Sequence, residues 1–256
     1  MFPKEHGAYG QLGFPLATAL VADGLSVASG FIALAAIALF MAHEPLLVVL
    51  GQRGPRARRD DAARARLWLI GTLLVAIVAG AFVVSVTPPA ARWTLILPLL
   101  PGACLVMLTV RGREKTTIGE TLVAVTFASI ALPVGAAAGR PLANGLAIAV
   151  TFAFLFAAST LAVRVVILRT RGGGQPQAAS HTRNLAVGVA AAGFAVGIAA
   201  TAAGLFSGGV AFAMTPGLLF AIVIAAFPPR AIYLRRVGWT LVAVSALTSI
   251  LLIAVT

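Results

Sequence analysis

Nine stretches of this chain are apolar over a length that crosses a bilayer, and they follow one another with only short polar connections between them. They lie near residues 8 to 23, 25 to 50, 67 to 86, 92 to 110, 118 to 138, 142 to 168, 184 to 206, 209 to 227 and 237 to 256. A transmembrane helix needs about 20 apolar residues, and backbone in lipid must satisfy its own hydrogen bonds, which a helix does. The expected fold is therefore all-α: a polytopic transmembrane helical bundle of nine spans, forming one integral membrane domain over residues 1–256. With 60% hydrophobic and 10% charged residues and a mean hydropathy of +1.02, no length is left for a sizeable water-soluble domain. A secreted factor, a periplasmic enzyme and a DNA-binding domain are excluded on that ground. The single cysteine, Cys104, lies in an apolar run and cannot found a disulfide framework or a thiolate cluster within the chain.

A net charge of +12 would suggest nucleic acid in a soluble protein, but the placement of the charges points elsewhere. Of the 19 Lys and Arg residues, all but Arg92 and Arg140 fall on alternate connections: the N-terminus, Gly51 to Arg66, Arg111 to Thr117, Arg169 to Arg183 and Pro228 to Gly238, with their flanks. The positive-inside rule then puts the N-terminus in the cytoplasm and the C-terminus outside. The partner implied is the bilayer itself, with anionic headgroups favoured at the basic loops, and no nucleic acid. Trp68, Trp93, Tyr233 and Trp239 sit at span ends as an interfacial belt. The opening residues show no removable signal peptide.

Six of the seven acids, Glu5, Glu44, Asp60, Asp61, Glu114 and Glu120, belong to the basic side. Carboxylates with Arg, Lys and His on one face suit a cation bound together with a phosphorylated group, since metals take oxygen ligands and Arg and Lys neutralise phosphate; charges that merely populate loops would look the same. Glu44 precedes Pro45 inside the second span, so the helix is expected to kink or stop there. It then either forms a cation or headgroup site with freed carbonyls or lies wet at the interface. Lys4-Glu5-His6 with Tyr9 places a cation, an anion and an imidazole at the mouth of the first helix, as a proton-transfer or binding group or as a polar anchor. Thr117 and Glu120 match a capping box opening the fifth span, while Arg113 and Lys115 beside the same helix N-terminus suit a phosphate. Thr160 and Arg164 share a face of the sixth span, with Ser159 adjacent. Arg53 to Arg66 reads as a basic helix start capped by Asp60 or Asp61, and Gly172 to Asn184 as a loop that lacks the P-loop spacing.

Pro3-Lys4-Glu5-His6-Gly7-Ala8-Tyr9-Gly10-Gln11-Leu12 followed by Pro15 resembles the opening of the YwiC-like family of bacterial multi-pass membrane proteins, and His43-Glu44-Pro45, Arg113-Glu114-Lys115 with Glu120, Ser159 to Arg164 and Arg235 to Trp239 resemble its later segments. The family name brings no activity with it. A looser, architectural resemblance is to the UbiA-type prenyltransferases, which implies Mg²⁺ and a polyprenyl diphosphate held by two Asp-rich connections. Here the first connection offers only Asp60-Asp61 and the second no acid, so that catalytic set does not carry over. The leading expectation is a bundle whose cytoplasm-facing polar cavity binds an isoprenoid or phospholipid with an anionic headgroup, as a divergent prenyl or lipid transferase. Lys4, Tyr9, Arg113, Lys115, Thr160 and Arg164 would contact substrate, Glu44 and Glu120 would hold Mg²⁺ or act as base, and His6 would move a proton. A secondary transporter and a non-catalytic membrane subunit are the competing readings. Oligomeric state is open.

Overall fold

The computed structural model describes residues 2–3, 6–170 and 176–256. Among these every regular element is helical. The order is α1 (His6–Ala22), α2 (Val27–Val49), α3 (Pro55–Val86), α4 (Ile96–Val110), α5 (Thr117–Ser129), α6 (Ala131–Ala137), α7 (Leu142–Thr170), α8 (Pro176–Ala202), α9 (Gly208–Ala226) and α10 (Leu234–Val255), with a short 3₁₀ segment, Pro89–Leu95, leading into α4. Eight helices, counting the 3₁₀–α4 and α5–α6 pairs as one each, are long and apolar enough to cross a membrane. The protein is a polytopic membrane helical bundle. The expected first span is α1, whose 17 residues stand at the lower limit of a crossing because Asp23 and Gly24, the latter at φ 89°, end it.

Several expected boundaries shift. Helix α2 does not stop at Glu44 but runs through Pro45 to Val49, close to the expected end of the second span, and the turn beyond it closes with Gln52 N–H on the Leu47 carbonyl and Gly51 at φ 76°. Helix α3 starts twelve residues before its apolar run, at Pro55, whose fixed φ suits the first helical position. Asp60 and Asp61 therefore lie within it and do not cap it, and Asp60 pairs with Arg56 one turn back. Helix α8 begins at Pro176, so Ser180 to Asn184 are helical, whereas Gly172 to Gly174 lie outside the described residues. The fifth span breaks at Ile130 into α5 and α6, next to Pro133, which has no N–H to continue the ladder.

Helix α7 is the axis of the bundle: it packs against α1, α5, α6, α8 and α9, while α10 closes on α1 and α9. Phe152, Leu155, Ile148 and Val165 on α7 are fully buried. Lipid is as apolar as these side chains, so their association rests on close packing. Glycine makes that possible: at Gly217 of α9 a Cβ would overlap Leu155. The α2–α3 hairpin packs on α6 and is tied to α1 and α5 by Phe40 against Tyr9 and Phe127, and most of α3 and α4 faces outward with apolar side chains exposed. At one end of the bundle, Arg140 donates to the Asp23 carbonyl (3.0 Å) and Asn144 to the Thr256 carbonyl (3.3 Å). The opposite end gathers the α2–α3 turn, the α4–α5 loop and the charged ends of α7 and α10.

Candidate functional site

The α4–α5 loop shapes that charged end. Gly112 at φ 66° turns the chain out of α4, and Thr116, not Thr117, caps α5 by accepting the Gly119 N–H at 3.2 Å. With the cap one residue earlier, the third helical position is Gly119 and the capping box is not formed. Gly119 is required where it stands, because a Cβ would overlap the Glu114 carbonyl oxygen as the loop folds back over the helix start. Glu120 is thereby released to point across to α7, where Arg164 Nη1 donates to its Oε2 at 3.0 Å and to the Lys115 carbonyl at 3.2 Å.

Below this trio lies a cavity of about 420 Å³ between α1, α7 and α10. Lys115, Glu120 and Arg164 edge it, Phe14, Phe156 and Leu241 are among its apolar walls, and Gln11, Thr160, Ser159 and Ser245 are polar residues along it. Gln11 donates to Thr160 Oγ1 at 3.2 Å, tying α1 to α7. Ser159 and Ser245 are 0% exposed, and neither hydroxyl has a hydrogen-bond partner. Gly7 and Gly238 leave open space, with nothing within 4 Å of where a side chain would start. The dimensions and mixed lining are those of a small-molecule site.

A second polar cluster stands beside the cavity, outside its lining. Glu44 is buried, 3% exposed, and both its oxygens accept from the Arg53 guanidinium across the α2–α3 turn, Nε at 2.9 Å and Nη2 closer still. His43 Nε2 lies 2.9 Å from Glu114 Oε2. The Glu114 carboxyl is held below its ordinary value by that hydrogen bond first, against desolvation, with the charges of His43, Lys115 and Arg53 adding to the effect. Nothing local in the sequence pairs His43 with Glu114, because the two stand 71 residues apart.

Of the residues expected to form the site, Lys115, Glu120, Thr160 and Arg164 meet at the cavity. Tyr9 and Arg113 do not line it. Tyr9 packs edge-on to Phe40 with centroids 4.9 Å apart and donates to the Pro3 carbonyl, and Arg113 is exposed on the loop. Lys4 lies outside the described residues, as does the His6 side chain, although the His6 backbone opens α1. The expected pairing of Glu44 with Glu120 around Mg²⁺ is not what the fold builds. Each carboxylate is committed to a different arginine, and the described residues contain no group of three His, Cys, Asp or Glu suited to a metal. The donor set does not fit a divalent cation. Gln11, Phe14 and Ser245 were missed; a lone amide in an apolar helix with Gly7 and Phe14 on the same face was the available signal for the first two.

The sequence profile of the YwiC-like proteins matches residues 2–134, more than half of the 256 residues. The chain belongs to the YwiC-like family. The matched stretch carries α1 to α5 and part of α6, hence the Glu44 and Glu114 cluster, the loop with Lys115 and Glu120, and the α1 wall of the cavity. Helices α7 and α10, which supply the other walls, lie beyond it. No curated protein and no solved structure matches the chain, so the UbiA-type likeness rests on the sequence reading alone.

Proposed function

We propose that this YwiC-like protein binds, in the bacterial inner membrane, a lipid or isoprenoid with an anionic headgroup, the headgroup at Lys115 and Arg164 and the apolar part in the cavity between α1, α7 and α10. The observation that carries this is the junction of two cations with an apolar-walled cavity inside a membrane bundle. Guanidinium and ammonium donors neutralise phosphate oxygens, and in a partly dry site such bonds are strong. Glu120 holds Arg164 in place at the mouth until a headgroup competes for it. The basic charge bias favours a cytoplasmic position for this mouth, with N-terminus inside, C-terminus outside and α1 as the ninth crossing.

The reading is one of binding. Glu44, buried with Arg53, serves the fold, and catalysis by Glu44 or His6 and an Mg²⁺ shared by Glu44 and Glu120 form no part of it. Native mass spectrometry of the gently extracted protein tests the proposal. An anionic lipid should be retained by the wild type and depleted on the order of tenfold in Lys115→Ala and Arg164→Gln, the loss of a charge-assisted contact. Retention that ignores both substitutions, or protein that is bare in every sample, would overturn it. Solute flux in proteoliposomes that depends on Arg164 would favour transport instead.

A further inference from the structure

Hydroxyls in helices ordinarily satisfy themselves by donating to the carbonyl four residues back. This protein follows that habit at Thr18, Thr109, Thr126, Thr182, Thr215 and Ser249, at 2.6 to 3.2 Å. Ser159 and Ser245 depart from it. They come from different helices, each lies eleven residues from the helix end at the charged side, about 16 Å of rise, and both residues border the same cavity, their hydroxyls fully buried and without partners. A buried donor left unmade costs about 1 to 3 kcal/mol. Two such donors at one depth along the wall of one cavity call for an acceptor that reaches them from it.

The position of that acceptor narrows the ligand. Ser159 is five residues from Arg164 on α7, about 7.5 Å along the axis. In a glycerophospholipid one ester sits on the glycerol carbon next to the one that carries the phosphate and the other one carbon further, so both carbonyls lie a few ångströms beyond the headgroup. A polyprenyl diphosphate has only C–H beyond its phosphates and would leave both serines facing hydrocarbon. Resting on the headgroup reading above, we infer that the ligand is an ester-linked anionic glycerophospholipid, whose phosphate meets Lys115 and Arg164 and whose ester carbonyls accept from Ser159 and Ser245. Thr151 and Thr248 are also buried without partners on the same two helices, but neither lines the cavity, which makes them controls.

The test compares three probes on the full-length protein in detergent: dioleoyl phosphatidylglycerol, its di-O-oleyl ether counterpart, which keeps the headgroup and chains but has no carbonyls, and farnesyl diphosphate. The wild type should prefer the ester on the order of tenfold over the ether, the sum of two neutral hydrogen bonds, and should bind farnesyl diphosphate less tightly than the ester. Ser159→Ala and Ser245→Ala should each reduce the ester preference about threefold, and the double variant should abolish it, while Thr151→Val and Thr248→Val leave it unchanged. Because the ratio is taken within each variant, loss of folded protein cancels. Lipid-free stability supplies the second readout: removing an unpartnered hydroxyl should leave it level or raise it, whereas a structural serine would lower it. Equal binding of ester and ether by the wild type, an ester preference that survives the double variant, or tighter farnesyl diphosphate binding would each overturn the inference while sparing the headgroup reading. Failure of all three probes to bind would remove both.

Discussion

Glu44 and Arg53 stand nine residues apart and meet because the α2–α3 turn is tight. With the carboxylate almost fully dry, the pair is costly to break from either side: Arg53→Ala leaves a buried charge alone and should cost about 3 to 5 kcal/mol. Replacing both partners, Glu44→Leu with Arg53→Met, should recover most of that loss, as thermal unfolding of the detergent-solubilised variants will register. Were the single substitution harmless, the pair would be ornamental. At His43–Glu114 the expected signature is a pH dependence. Glu114 titrates below its ordinary 4.5 in the folded protein, so its contribution is complete above that value and is lost as pH falls through the lower folded one. Unfolding midpoints followed on acidification should drop less steeply in Glu114→Gln than in the wild type. Sequence alone marks Glu44 as unusual, an acid before proline inside an apolar run, but nothing local in it names Arg53 as partner.

The start of α5 is the element on which the cavity mouth depends, since one cap and one glycine set where Lys115 and Glu120 stand. Thr116→Ala should cost about 1 kcal/mol, the usual loss of an N-cap. Gly119→Ala should cost more and displace the loop, because its Cβ would overlap the Glu114 carbonyl oxygen. Paired measurements of stability and anionic-lipid retention would show both falling together. The glycines of α1 and α10 predict the opposite separation. Gly7 and Gly238 border the cavity with open space around them, so Gly7→Leu and Gly238→Leu should plug it while leaving stability level or slightly higher, given the better helix propensity of leucine. Bound lipid should vanish from a fully folded protein; unchanged retention would place the ligand elsewhere. The capping signal was legible to within one residue, and the error had a consequence, for Glu120 turns out to bridge to α7 instead of closing its own helix.

Across the whole molecule, α3 is 32 residues long, about 48 Å against about 30 Å of hydrocarbon, so its first turns, rich in arginine, project beyond the apolar slab. Nine crossings with these turns in the cytoplasm predict that, in a Cys104→Ser background, a cysteine at Asp61 reacts with membrane-impermeant maleimide only after cells are opened, while one at Arg140 reacts in intact cells. The reverse pattern would invert the topology, and both reacting alike would break the alternation. What the sequence determined by itself was the class of fold and its charged end, because apolar length and charge placement are local properties that lipid reads directly. The cavity was decided only by tertiary structure. Gln11 meets Thr160 across 149 positions, Glu114 meets His43 across 71, and Arg164 meets Glu120 across 44, and Ser245 of α10 becomes part of the site only because α1, α7 and α10 enclose it. Helices in lipid have no polar and apolar sides to announce their neighbours, so which faces meet is settled by the fit of glycines and large side chains along whole helices, and that fit is not written in any one of them.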